Sequence, residues 1–386
     1  MDKLAVVKVL DSVVDSLDIP ESYYQRASDR HHSIADWLCR PESKLAKYSP
    51  HVTPQGSFRY GTVVRPIHQE AEYDLDNVVT LQMQKADKTQ SELKLLFGEE
   101  LKAYARAHGM LSPLEEKPRC WRLHYADEVS FHLDSLPCVA EEPAVVQAIT
   151  TQGVPFELAK RAVAITDQRH PNYHVLSSDW LISNPRGFAR WFEERTRVFA
   201  QSRLRTLVEM RKFASVEDVP PYEWKTPLQR SIQLLKRHRD VMFRETPELA
   251  PISMIITNLA THAYSGEGDI YEAVTGIVAR MRNFISPAYP RVPNPTAPSE
   301  DYADKWSKNP LLEKNFLLWH TQVQQDLAYL HTLTRDGMER EIRGRFDVQL
   351  TLDQLSRISN PLPARAAAAS VAPSVFVPSA PKPWGK

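Results

Sequence analysis

Between Gln55 and Val79 the chain reads QGSFRYGTVVRPIHQEAEYDLDNVV, a glycine turn followed by a β-prone run that carries two carboxylates. Gly56–Ser57 opens a tight turn that sets a hydroxyl beside exposed backbone N–H groups, an arrangement suited to phosphate oxygens. Side chains alternate faces along a strand, so Asp74 and Asp76 point one way while Tyr73 and Leu75 point the other. Two like charges on one face are costly unless a cation neutralises them, and a hard divalent ion such as Mg²⁺ prefers such all-oxygen ligands. A third carboxylate follows in VSFHLDSLP (Val129–Pro137), where Asp134 falls on the polar side of the alternation. Three carboxylates on two adjacent strands can hold two metals about 4 Å apart, the geometry that serves the attacking and leaving oxygens of a phosphoryl transfer. An isolated Asp-x-Asp is most often a solvated strand face. The ordered set of Gly56–Ser57, Gly61–Thr62, Asp74-x-Asp76 and a later strand Asp is far more specific.

Working outward, Leu4, Val7, Leu10, Val13, Val14 and Leu17 recur at helical spacing until Pro20. A second helix is expected from Glu21 to about Leu38. Asp74–Leu81 and Val129–Leu136 read as strands with a helix, Ser91–His108, between them. From Asn184 onward the pattern is helical, with 187–213, 225–243, 251–264 and 311–335 the best segments, punctuated by Pro220–Pro221 and the proline-rich loop Pro287–Pro298. After about Asn360 the composition turns to Pro, Ala and Ser, which predicts a disordered tail over 361–386. The fold class is therefore α/β of the α+β kind, with a mixed-sheet lobe over 1–215 and a helical lobe over 216–345.

The 386 residues are ordinary for two domains, with 42% hydrophobic and 25% charged. Mean hydropathy is −0.42 and no apolar run approaches the ~18 residues a membrane span requires, so no membrane association is expected. Lys and Arg number 48 against 48 Asp and Glu, which disfavours a protein that coats nucleic acid. Three dispersed cysteines, Cys39, Cys120 and Cys138, lack metal spacing and fit a reducing cytoplasm. Cys138 reads as a small buried hydrophobe, and His31–His32 as structural.

GSFRYGT, YDLD and FHLDSLP together resemble the core of the polymerase-β-like nucleotidyltransferases, and more closely the bacterial cyclic-oligonucleotide synthases called CD-NTases, relatives of cyclic GMP-AMP synthase. The resemblance covers about residues 20–345. It extends through SNPRGFARWF (Ser183–Phe192), KTPLQRSIQLLKRHRD (Lys225–Asp240), PISMIITNLA (Pro251–Ala260) and NPTAPSEDYADKW (Asn294–Trp306), blocks that most resemble clade D, with clade C next. It implies a nucleotide cleft between the two lobes. Asp74, Asp76 and Asp134 would bind two Mg²⁺ ions, with Mn²⁺ able to substitute. Gln55, Gly56 and Ser57 would grip the β- and γ-phosphates, and Lys236 and Ser253 would hold the donor triphosphate from the helical lobe. Where several relatives follow that serine with a base-stacking aromatic, this chain has Met254, which leaves stacking to another residue such as a tyrosine. The resemblance assigns no role to Asn294 or Asp304.

The implied function is the joining of ATP, with or without GTP, into a cyclic di- or trinucleotide second messenger that activates an effector in anti-phage defence (CBASS). Many such synthases act beside accessory proteins that bind or conjugate the C-terminus. The tail carries Val375, Phe376, Val377 and Trp384 as docking anchors, but it ends Gly385–Lys386 rather than in the small residue that conjugated members show. No zinc-ligand insertion of the DNA-gripping kind is present, so activation by DNA is not expected. Arg186, Arg190, Arg195, Arg197, Arg203, Arg205, Arg211 and Lys212 against three glutamates could line a phosphate groove, or form a solvated helix face. Two alternatives stand beside this reading. One is a template-independent transferase acting on RNA, a small molecule or a protein, and the other is a catalytically silent nucleotide-binding scaffold.

Overall fold

A computed structural model describes residues 3–68, 72–126, 130–197, 225–351 and 354. The first apolar periodicity forms helix α1 (Lys3–Leu17), and the second forms α2 (Glu21–Cys39), each ended by the proline or turn that follows. Strand β1 (His51–Gln55) runs into the one-turn helix α3 (Gly56–Tyr60), and β2 (Tyr73–Leu81) follows. Helix α4 (Gln90–Ala107) starts at a capping box in which Thr89 and Glu92 bond each other's backbone N–H. It leads to β3 (Glu115–Glu116), β4 (Trp121–Ala126) and β5 (Ser130–Ala140).

These strands form one sheet in the order β1-β2-β5-β4-β3. Beside β5 lie β6 (Val163–Ile165) and then β7 (Leu181–Ser183). Only β2 and β5 run parallel; every other pairing is antiparallel. The β5 strand outruns its expected end at Leu136 and passes through Pro137. Its pairing with β4 stops at Ser135 and that with β6 starts at Cys138, so on that side Pro137 falls in the gap between two partners, while on the other it stands opposite Val79 of β2. Val129, the expected first residue of this strand, lies outside the described residues.

Between β5 and β7 lie two helices the periodicity did not single out, α5 (Pro143–Thr151) and α6 (Phe156–Ala159). Helix α7 (Pro185–Thr196) covers the start of the segment expected over 187–213; residues 198–224 lie outside the described ones, as do Pro220–Pro221, the 215–216 boundary and the tail. The helical part comprises α8 (Pro227–Met242), α9 (Ser253–Ala263), α10 (Ile270–Arg280), α11 (Pro310–Tyr329) and α12 (Arg335–Phe346). The helix expected over 311–335 ends earlier, at Tyr329, where a 3₁₀ turn at Leu330–Thr332 follows, and α12 begins only at Arg335. The proline-rich loop holds a small hairpin of β8 (Pro293–Asn294) and β9 (Ala297–Asp301).

Two apolar clusters organise the chain. One packs α2 and α4 against the sheet through residues such as Ile34, Leu75, Phe97 and Phe131. The other gathers α8–α12 around Leu235, Ile256, Ile277 and Trp319, and it includes Val6, Val9, Leu10 and Val13 of α1. The N-terminal helix, although first in the chain, therefore buries its apolar stripe against the helical part. His31 is fully buried and its Nδ1 lies 2.8 Å from the Asn77 side-chain oxygen, which docks α2 on β2 and bears out a structural role. Cys138 is buried too, and burial pushes its thiol pKa up to about 12.

Candidate active site

Strand alternation on β2 exposes Asp74 and half-buries Asp76, while Tyr73 and Leu75 turn into the core. Parallel pairing sets Asp76 directly beside Asp134 of β5. One carboxylate oxygen from each of Asp74, Asp76 and Asp134 lies within 4.8 Å of the others. Crowding has an electrostatic signature: burial, then the charges of Asp74 and Asp134, push the Asp76 pKa well above the usual carboxylate range. An all-oxygen set that resists its own ionisation fits one or two hard divalent cations.

The glycine turn presses against this group. Gly56 has φ +69°, a region L side chains avoid, and a Cβ there would stand 2.1 Å from Asp76 Oδ2. The expected tight turn is the first turn of α3, with Gln55 extended before it and Gly61 closing it in the left-handed region.

From the helical part, α8 brings Lys236 to the same place. Its Nζ donates to the carbonyl (3.2 Å) and hydroxyl (3.1 Å) of Thr62, just beyond the turn. Burial, followed by neighbouring Arg239, drives the Lys236 pKa down to about 7. Ser253 opens α9, and its hydroxyl accepts from Arg239 Nη2 at 3.2 Å. Gln55, Gly56, Ser57, Asp74, Asp76, Asp134, Lys236 and Ser253 all line one cavity of about 1210 Å³, larger than most small-ligand pockets.

Several residues in or beside the cavity, Arg122, Arg239, His132 and Tyr302, escaped sequence reasoning. Arg122 of β4, opposite Asp134 in the strand register, donates from Nε to Oδ1 at 2.6 Å and from Nη2 to Oδ2 at 2.8 Å. The alternation of Cys120–Tyr125 was the signal that could have found it. Arg239 sits three residues after Lys236 on α8, so helical spacing alone would have paired them. His132 bridges Glu72 (Nδ1, 3.1 Å) and Asp74 (Nε2, 2.9 Å); burial would lower its pKa, but the hydrogen bond and charge of Asp74 raise it. Met254 lines the cavity, as does Tyr302, whose ring meets Phe188 edge-on at 5.8 Å. Of the arginine run, Arg190 lies 3.5 Å from Glu193, which also takes Arg59 Nη2 at 2.6 Å, an ordinary ion-pair network, while Arg203, Arg205, Arg211 and Lys212 lie outside the described residues.

Residues 50–137, which hold the glycine turn and all three carboxylates, match the family model described as cyclic GMP-AMP synthase DncV-like, nucleotidyltransferase domain. The chain is similar to the bacterial CD-NTases, and its 50–137 segment to the DncV-like nucleotidyltransferases. The chain is 28% identical over 344 residues to a c-di-GMP synthase of Roseivirga ehrenbergii, covering 87% of this chain and 83% of that protein. It is 26% identical over 368 residues to the cyclic dinucleotide synthase CdnG of Bradyrhizobium diazoefficiens, covering 89% and 77%. The solved structure of that CdnG in complex with GTP superposes with a TM-score of 0.64 at 22% identity, over 92% of this chain and 98% of that one, and shares its fold. Among the described residues, no helix is long and apolar enough to cross a membrane.

Proposed function

We propose that the chain is a CD-NTase that joins nucleoside triphosphates into a cyclic di- or trinucleotide, using Asp74, Asp76 and Asp134 to hold two Mg²⁺ ions. The observation that carries the reading is the meeting of those three carboxylates, across the β2–β5 register, in a cavity also lined by Lys236 and Arg239. Bound there, the metals would lower the pKa of a ribose hydroxyl and neutralise a pyrophosphate leaving group.

The chain's own residues do the positioning. Ser57 and the N–H groups of its turn take β- and γ-phosphate oxygens, with Gln55 and Gly56 shaping the cradle. Lys236 and Arg239 supply the cations on the opposite wall, and Ser253 adds a hydroxyl. Arg122 fixes the plane of Asp134, and His132 that of Asp74. Tyr302 offers the base an aromatic face that Met254 does not. In each step a ribose oxygen forms a bond to the α-phosphorus of the next nucleotide, the α–β anhydride breaks, pyrophosphate leaves and the hydroxyl proton passes to solvent. Repetition closes the ring. A nucleotidyltransferase lobe over 1–215 and a helical lobe over 216–345 would enclose the cavity.

ATP and GTP are the proposed substrates, and the guanine nucleotides named for the two relatives weight the choice toward GTP. The cytoplasm, an effector in anti-phage defence and an accessory protein docking on 361–386 belong to the same proposal, on the family resemblance. Incubation with all four NTPs, each α-labelled in turn, and Mg²⁺ or Mn²⁺ tests it. A phosphatase-resistant product whose mass is that of a closed ring establishes the synthase and names its bases. Linear, phosphatase-sensitive oligomers would replace it with the transferase reading.

A further inference from the structure

The stretch Gly61–Arg65, which follows α3 and the Ser57 turn, lies in neither helix nor strand, although Thr62 and Val63 are buried. Buried carbonyls outside regular structure need partners from elsewhere. Resting on the transfer reading above, we propose that Gln229 of α8, with Gln233 one turn further on, is a positioning residue. It holds this stretch so that Ser57 and Lys236 grip the same triphosphate.

One face of α8 supplies the partners. Gln229 Nε2 donates to the Tyr60 carbonyl at 2.8 Å, and Gln233 Nε2 to that of Val63 at 2.6 Å. Lys236 Nζ takes the carbonyl of Thr62 at 3.2 Å, and Arg237 Nη2 that of Arg65 at 2.5 Å. These four positions of α8 follow the helical spacing that stacks side chains on one face. The stretch also reaches Ser57 directly, because the Thr62 N–H donates to the Ser57 carbonyl at 2.9 Å. The helix that carries Lys236 and Arg239 therefore also sets where the Ser57 turn stands.

Gln229 is placed for this by both ends of its amide. Its Oε1 accepts from the Thr226 N–H at 2.8 Å and the Thr226 hydroxyl at 3.0 Å, in the capping box that starts α8, which leaves Nε2 for Tyr60. The approach is close: Gly61 has φ +64°, and a Cβ there would stand 2.6 Å from Gln229 Nε2. Gln233 is fully buried, and its Nε2 also meets Asp18 Oδ1 at 2.6 Å, where Lys225 gives Asp18 a second partner. The neutral amide matters. Phosphate attracts an ammonium, so Lys236 has a second claim on its charge, and a Lys236 that turns to phosphate leaves the Thr62 carbonyl. An uncharged amide is drawn to phosphate far less. Gln229 and Gln233, on Tyr60 and Val63 to either side of Thr62, thus keep the stretch in place while nucleotide enters and leaves.

The test compares, by calorimetry with Mg²⁺, the binding of an α,β-methylene nucleoside triphosphate, which cannot release pyrophosphate, and of the matching 5′-monophosphate, for each of the four bases. The readout is the ratio of the two affinities, triphosphate over monophosphate, which a role in stability alone would not move. Gln229→Glu keeps the oxygen that caps α8 and loses the donor to Tyr60. Gln229→Met loses both without adding charge, and Thr226→Ala weakens the cap but keeps the donor. Both Gln229 variants are expected to lower the ratio by about tenfold or more and to slow product formation at saturating NTP. Thr226→Ala is expected to lower the melting temperature and keep the ratio within twofold of wild type. A Gln229→Met ratio within twofold of wild type overturns the proposal, since any loss in Gln229→Glu then comes from the added charge. An equal fall in Thr226→Ala overturns it too, because the cap alone then accounts for the effect, as does a wild type without preference for triphosphate. A wild type that binds the triphosphate analogue yet forms no product from NTPs overturns the transfer reading and leaves the ratio to decide this one.

Discussion

Arg122 on β4 closes a two-point fork on Asp134 of β5, at 2.6 and 2.8 Å, so the third carboxylate of the triad already has a cationic partner before any metal arrives. A guanidinium and a divalent cation at one carboxylate repel each other. Arg122→Gln is therefore expected to tighten Mn²⁺ binding by about tenfold, near 1.4 kcal/mol, while slowing product formation. Mn²⁺ titration followed by electron paramagnetic resonance reads the first effect. Weaker binding would mean that orienting Asp134 matters more than the charge beside it.

Asp76 is half-buried and crowded by Asp74 and Asp134, and its folded-state pKa is raised. The folded protein thus binds this proton more tightly than the unfolded chain, and metal-free stability falls as pH rises above the ordinary carboxylate value of about 3.9. Asp76→Asn should raise the metal-free melting temperature at pH 8 by about 2–4 °C per kcal/mol relieved and abolish synthesis. Mg²⁺ should raise the melting temperature of wild type and not of the variant. Equal Mg²⁺ stabilisation of both would remove Asp76 from the metal set.

Lys236 behaves in the opposite sense. Its pKa is about 7 folded, against 10.5 for the free side chain. Between those values the unfolded chain carries the extra proton, so stability rises with pH, and the cost of burying the charged form is complete only below about pH 7. Melting curves of wild type and Lys236→Met from pH 6 to 10 should show a wild-type rise that the variant lacks. Phosphate favours the ammonium form, so calorimetry at pH 8 in buffers of different ionisation enthalpy should find proton uptake on binding of a donor NTP with Mg²⁺, absent in Lys236→Met.

Gly56→Ala tests the pressure of the turn on the triad. The added methyl meets both a positive φ and the Asp76 carboxylate. A loss of about 1–3 kcal/mol in denaturant unfolding is expected, with a fall in nucleotidyl transfer larger than the stability loss explains. An active variant of wild-type stability would show that the turn relaxes freely.

Much of this site was legible in the chain. Asp74 and Asp76 share a face because side chains alternate with period two, and Asp134 follows by the same rule on its own strand. Ser57 was visible as a hydroxyl in a glycine turn. Lys236 and Ser253 were visible only through family resemblance, since a lysine inside a helical pattern otherwise reads as solvated. Arg122 and His132 were not read, because each is tied to its carboxylate partner by strand pairing, which no local pattern records.

What the sequence by itself determined is therefore local: the run of helices, the two carboxylate-bearing strands and the faces on which Asp74, Asp76 and Asp134 stand, all set by covalent geometry and backbone period. Tertiary structure alone decided that Asp76 and Asp134 are register neighbours, that α1 belongs with the helical cluster, and that Arg122 of β4 and Lys236 of α8 line one cavity with the carboxylates. It also decided the charge states. The same lysine or aspartate titrates near its ordinary value in water, and only burial beside particular neighbours moves Asp76 up and Lys236 down.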